Sequence, residues 1–133
     1  MKIAVSASSG GLDATVDPRF GRCPCFVIVD AETMQSEVVP NEGGNMAHGA
    51  GIQAAQTVVG LGVQVVLTGN VGPNAYQALS AAGIKIVTGV TGNVRGAIMS
   101  YKKGELKETS SPSVGGHFGV GRGRGMGRGG RWS

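Results

Sequence analysis

Three stretches of helical period in this chain each stop at a glycine, and the first two stops are followed at once by a short apolar run. Ile52, Ala55 and Val59, with Ala54, Val58 and Leu61 beside them, recur at helical spacing from Gly49 to Leu61 and halt at Gly62. Val63 to Thr68 (VQVVLT) then reads as a strand. Gly72-Pro73 puts proline at a favoured first helical position, Tyr76, Leu79 and Ala82 line one face, and Gly83 is the stop. Ile84 to Val87 is a further apolar strand segment. Asn93 caps a third helix, which carries Val94, Ala97, Ile98 and Tyr101 at i, i+3, i+4 and i+7 and ends near Gly104. Strands and helices alternating at this interval restrict the chain to an α/β architecture.

The N-terminal third has a different period. Lys2 to Ser6 alternates around Ile3 and Val5 and gives way to the loop Ala7-Ser8-Ser9-Gly10-Gly11. Pro18, Gly21 and Pro24 keep the next stretch irregular. Cys25 to Asp30 (CFVIVD) is continuously apolar, as a strand covered on both faces must be. A turn at Asp30 to Thr33 leads into Gln35 to Val39, which predicts a hairpin, and Pro40 to Gly44 break the chain. The expected order is strand, strand, strand, helix, strand, helix, strand, helix. Strands separated by helices are expected to be parallel neighbours with right-handed crossovers, and the hairpin antiparallel. The predicted fold class is a single α/β domain with a five-stranded mixed sheet and three helices, placed on both faces of the sheet.

The 133 residues suit one domain, large enough to bury a core without disulfide or metal staples. Aromatics are 5% of the chain, so the core must come from Val, Ile, Leu and Ala. The formal charge of +4 is unevenly placed: without Arg122, Arg124, Arg128 and Arg131, eight bases face eight acids over residues 1–114. The basic isoelectric point therefore belongs to the tail. Nine of the 25 glycines lie between Gly115 and Gly130, and such a segment cannot bury enough apolar surface to order itself. Residues 109–133 are accordingly expected to be a disordered Gly/Arg-rich tail, after a body spanning 1–108. No apolar run reaches the roughly 18 residues of a membrane span and the N-terminus lacks signal-peptide features, so a cytoplasmic protein without membrane contact is expected.

The stretch Val16 to Phe26 (VDPRFGRCPCF) concentrates the chemistry. It holds both cysteines, Cys23 and Cys25, and two arginines, Arg19 and Arg22. On an extended chain i and i+2 point to one face, so both sulfurs are candidate ligands for one metal or cluster; equally, Cys25 reads as a small core residue and Cys23 as a loop thiol. Arg19 and Arg22 either stabilise thiolates and hold an anion or form surface ion pairs and carbonyl contacts. His48 sits where a loop becomes a helix, within Asn45-Met46-Ala47-His48-Gly49-Ala50-Gly51. The positive helix end keeps such an imidazole neutral and available to a metal, although a loop histidine is also simply solvated. Gly49 and Gly51 let a bulky ligand approach the backbone, where free helix N–H groups suit an anion. Met46 offers a soft thioether or a packing residue.

Other chemistries fit less well. Asp13 and Asp17 lie in loops and Asp30 at the far end of a strand, so the convergent carboxylates of a two-metal nuclease are not expected. The loops Ser8 to Gly11 and Gly69 to Gly72 match neither phosphate-binding glycine fingerprint and read as turns, one of them edging the ligand site. Gly121 to Trp132 resembles an RGG-type segment. Its four arginines predict weak, salt-sensitive nucleic-acid contact, and a solubilising or docking tail is the other possibility.

Taken together, the residues resemble the dinitrogenase iron-molybdenum cofactor biosynthesis family, the small NifX-like proteins related to the C-terminal domain of NifB. The resemblance covers about residues 1–108. It rests on Lys2-Ile3-Ala4-Val5-Ser6, on Asp17 with Phe20-Gly21-Arg22 before the strand Phe26 to Asp30, on His48-Gly49-Ala50-Gly51, and on Val66-Leu67-Thr68-Gly69-Asn70 with Gly72-Pro73 and Ala75. It implies an RNase H-like domain that binds or carries a preassembled iron-sulfur-type cluster, often containing molybdenum, rather than an enzyme. Partners would be the proteins that donate and accept the cluster. Family members commonly carry an aromatic residue where this chain has Cys25. Cys23, Cys25 and His48 would supply three ligands at most, too few for a four-cysteine site, which suits a preformed or shared cluster. The alternative is a nucleic-acid-associated protein acting through its tail.

Overall fold

The computed structural model describes residues 1–44 and 48–112. Met46 and the Gly/Arg-rich stretch from 113 onward, with the disorder and nucleic-acid contact expected of it, lie outside the described residues.

Eight elements follow the predicted order: β1 (Lys2–Ala7), β2 (Cys25–Asp30), β3 (Ser36–Pro40), α1 (Ala50–Gly60), β4 (Val65–Leu67), α2 (Pro73–Ala81), β5 (Lys85–Val87) and α3 (Val94–Lys102). Each stop signal does its expected work. Gly62 and Gly83 take φ of 73° and 79°, a left-handed conformation that ends a helix at little cost only in glycine. Asn93 Oδ1 accepts the Gly96 N–H at 2.7 Å, while α1 and α2 begin at Gly49 and Gly72 with no side-chain cap.

The five strands form one mixed sheet in the order β3-β2-β1-β4-β5. β1 pairs antiparallel with β2 (Ile3 opposite Val29, Val5 opposite Val27) and parallel with β4 (Ile3 opposite Val65). β4 and β5 are parallel, and β2 and β3 form the predicted hairpin. This is the RNase H-like arrangement. One expectation needs correction: β3 and β4, separated in sequence by α1, are not neighbours. β1 is buried from Ile3 to Ala7 and takes the central slot between β2 and β4, leaving the exposed β3 at the edge. An apolar strand gains most where both its faces and both its edges are covered.

Strand alternation divides the interior into two layers. Ala4, Phe26, Ile28, Val66 and Ile86 face α1 and α2 through Ala54, Ala55, Val58, Ala75 and Leu79. Ile3, Val5, Val27, Val29, Val65 and Leu67 face α3 through Val94, Ala97 and Ile98. After α3 the chain returns along β5: the Thr109 N–H donates to the Ile86 carbonyl at 2.6 Å, and Thr109 Oγ1 accepts the Thr88 N–H at 2.9 Å. Ordered contacts with the sheet thus reach Thr109, the first residue of the expected tail.

Candidate functional site

The loop after β1 is tied down at both ends of the segment that carries the arginines. The Ser6 hydroxyl donates to the Asp17 carbonyl at 2.6 Å, and the Asp17 N–H donates back to the Ser6 carbonyl at 2.8 Å. The single Ser6 proton being used, the Thr68 hydroxyl donates to Ser6 Oγ across 2.7 Å. Pro18 lies against Gly69, where a Cβ would come within 2.6 Å of Pro18 Cα, and the Asn70 N–H donates to the Pro18 carbonyl at 2.7 Å. The chain therefore crosses the ends of β1 and β4 before it reaches the cysteines.

Asp17 is buried and orders Arg19. Its Oδ1 accepts the Arg19 backbone N–H at 2.8 Å and Nε at 3.1 Å, and its Oδ2 accepts the second guanidinium nitrogen at 3.0 Å. Burial pushes the Asp17 carboxyl up, but the side-chain and backbone hydrogen bonds from Arg19 outweigh it and hold the pKa below the ordinary value. The same pairing holds the Arg19 guanidinium above its ordinary value. The Asp-Pro-Arg sequence was a legible signal for this Asx-type turn, in which a short carboxylate binds the backbone two residues on. Arg22 donates to the Gly44 carbonyl at 3.2 Å.

The two thiols part company. Cys23 is fully buried in the layer of α1 and α2, beside Phe20 and Phe26, and Cys25 is buried in the α3 layer with Val27 and Val29. The expectation that they share a face fails because the strand begins only at Cys25; Pro24 sits in a bend, and the period-two rule does not apply across it. Cys23 Sγ donates to the Phe20 carbonyl at 3.3 Å and Cys25 Sγ to the Ala7 carbonyl at 3.7 Å. Burial, with the Asp17 carboxylate adding to it, pushes the Cys23 thiol up to about 12. Cys25 is raised by the same two causes. Both are free thiols.

Asn41, which no sequence signal picked out, pins the cysteine loop. Its Nδ2 donates to the carbonyls of Gly21 (3.0 Å) and Cys23 (2.9 Å), and its N–H donates to the Pro24 carbonyl at 3.0 Å. Its Oδ1 is buried without a partner among the described residues.

Two clefts flank this loop. The larger, about 620 Å³, is lined by Arg19, Arg22, Cys23, Pro24, Asn41 and Gly44. The smaller, about 190 Å³, lies where α1 and α2 begin and is lined by Phe20, Gly21, Gly49, Gly51 and Ile52 with Gly72 to Ala75. The uncapped helix starts leave backbone N–H groups available there. Gly21 is needed for this closeness, since a Cβ on it would sit 2.9 Å from Gly51 Cα. The structure thus brings Arg19, Arg22 and Cys23 to one cleft and Gly49 and Gly51 to the next. His48 is exposed, one residue before Gly49. Cys23, Cys25 and His48 do not form a three-ligand set: among the described residues no group of three or more His, Cys, Asp or Glu could hold a metal ion. The aspartates are also dispersed, Asp13 facing Arg95 at 3.5 Å and Asp30 accepting the Glu32 N–H at 2.9 Å.

Known proteins share this fold. The apo form of the orange protein from Desulfovibrio gigas superimposes with a TM-score of 0.82 at 47% identity, over 84% of this chain and 95% of that one. The solution structure of a Thermotoga protein described as a candidate NifB protein gives a TM-score of 0.71 at 36% identity, over 80% and 91%. An uncharacterised protein of Methanocaldococcus jannaschii, MJ0580, is 31% identical over 111 residues, covering 81% of this chain and 91% of its own. The described residues contain no helix long and apolar enough to cross a membrane. Residues 1–104 match the family described as dinitrogenase iron-molybdenum cofactor, and the chain belongs to that family.

Proposed function

We propose that the protein binds and carries a preassembled metal-sulfur cluster of the iron-sulfur or iron-molybdenum type as cargo, without transforming it. The observation that carries this is the cleft lined by Arg19, Arg22 and Cys23, next to a second cleft bounded by two helix starts. Metal-sulfur clusters of this kind are anionic, and guanidinium forks together with backbone N–H groups at helix N-termini are the donors such a surface recognises. Kinship with a protein whose structure is described as an apo form, and which therefore also has a ligand-bound form, supports this reading.

The chain's own residues divide the work. Arg19, aimed by Asp17, and Arg22 neutralise the cargo, while Gly49 and Gly51 let it approach the start of α1. Cys23 is the nearest thiol, but a buried sulfhydryl with a pKa near 12 is a weak ligand. The cargo is therefore held chiefly by hydrogen bonds and charge: Cys23 is a ligand only where its loop opens, the exposed His48 is a further donor beside the start of α1, and Cys25, which faces the α3 layer, takes no part. Donor and acceptor proteins would then exchange the cluster without breaking several metal-thiolate bonds.

Anaerobic incubation of the full chain with iron, sulfide and tetrathiomolybdate, followed by gel filtration and metal analysis, tests this. Retained metal and a visible chromophore are expected, with retention weakened about tenfold by Arg22→Gln and little changed by Cys25→Ala. A chain that retains no metal, or one that binds equally well without both arginines, overturns the proposal.

A further inference from the structure

From Gly43 to Ile84 the chain has no aspartate, glutamate, lysine or arginine. That stretch contains all of α1 and α2, so one outer layer of the molecule carries no formal charge on either helix. The other layer does: α3 carries Arg95 and Lys102. Solvent-facing helices ordinarily present charged residues opposite their buried stripe. Here the outward positions of α1 are Ile52, Gln53, Gln56 and Val59, with Ile52 39% and Val59 40% exposed. Gln56 lies between them, one turn from each. α2 adds exposed Asn74, Gln77, Ser80 and Ala81.

We infer that this α1–α2 face docks a second copy of the chain. A two-fold interface sets a patch against itself, so every charge near its axis meets its like. A face without charges escapes that penalty, whereas one evolved for an unlike partner gains specificity and encounter rate from complementary charge, of which there is none here. Glutamine suits self-pairing because its amide both donates and accepts. Ile52 and Val59 supply apolar contact, and the small Gly60, Ser80 and Ala81 let helices approach closely. Two short helices make a small interface, so the association is weak. Ile52 and Asn74 also line the smaller cleft, so the face borders the proposed cargo site, and the inference is tested on the chain free of metal.

Sedimentation equilibrium of the full chain, free of metal, tests the inference over about 10 µM to 1 mM protein at about 50 and 500 mM NaCl. A monomer–dimer equilibrium is expected, with a dissociation constant on the order of 10–100 µM that does not weaken at high salt. Gln56→Lys and Gln56→Glu, both at an exposed position that leaves folding intact, are each expected to be monomeric. An equimolar mixture of the two dimerises at low salt, because opposite charges then meet across the axis. A chain that stays monomeric throughout, a dimer dispersed by salt, a dimer indifferent to both substitutions, or a mixture that fails to associate overturns the inference.

Discussion

The guanidinium of Arg19 lies on the carboxylate of Asp17 two residues before it, with Nε and the second terminal nitrogen 3.1 and 3.0 Å from the two oxygens. The pair is unequal: the Asp17 side chain is 6% exposed and that of Arg19 61%. Asp17 is thus the fixed member, anchored through its backbone to Ser6, and Arg19 the group it aims outward.

Asp17 should make stability depend on acid. Its folded pKa lies below the ordinary 3.8, so its contribution is fully present above that value and lost as pH falls through the lower folded one. Asp17→Asn is expected to lower stability at pH 7 by about 1 kcal/mol, since the partner is exposed and screened. Urea midpoints of the two proteins should converge as pH falls below 3.8 and through the lower folded pKa. A gap that persists unchanged at low pH would show that the carboxylate charge is irrelevant.

Cys23 should behave as a hidden thiol. With a folded pKa near 12 against an ordinary 9.0, it contributes stability that is intact below pH 9.0 and lost as pH rises toward 12. Melting temperature should fall through that alkaline window, and Cys23→Ala should flatten the decline. At pH 8 a disulfide reagent should label Cys23 slowly in the native protein and at once in denaturant.

Asn41→Ala should open the cysteine loop. It removes two hydrogen bonds to the carbonyls of Gly21 and Cys23, which are left to find water. A loss of roughly 1–3 kcal/mol is expected, together with faster native-state labelling of Cys23. Unchanged labelling would mean that Phe20 and Pro24 hold the loop unaided.

Gly69→Ala tests the crossing of the loop over β4. The new methyl would meet Pro18 Cα at 2.6 Å and the Pro18 carbonyl oxygen at 2.9 Å, both backbone atoms that cannot rotate away. A destabilisation of roughly 1–3 kcal/mol is expected in denaturant melts. Gly72→Ala, with nothing within 4 Å of the added carbon, should be nearly neutral and serves as the control.

The elements themselves were legible because their signals are local. The apolar period of α1, the Gly72-Pro73 start of α2, the Asn93 cap of α3 and the stops at Gly62 and Gly83 each involve residues within a turn or two of one another. So was the loop carrying Arg19, Arg22 and Cys23, by its proline and glycine content. The site's supports were not. Asp17 binds Arg19 within the same turn and left a trace in Asp-Pro-Arg, but Asn41 reaches Cys23 across 18 residues and Ser6 reaches Thr68 across 62.

The sequence by itself determined the type and order of the strands and helices, because backbone propensity and hydrophobic period act between near neighbours. Only the tertiary structure decided that β1 lies between β2 and β4, that Cys23 and Cys25 enter opposite layers, and that α1 and α2 share one uncharged face. Those outcomes depend on which distant surfaces bury one another, and a strand's period says which of its faces are apolar without saying what will cover them.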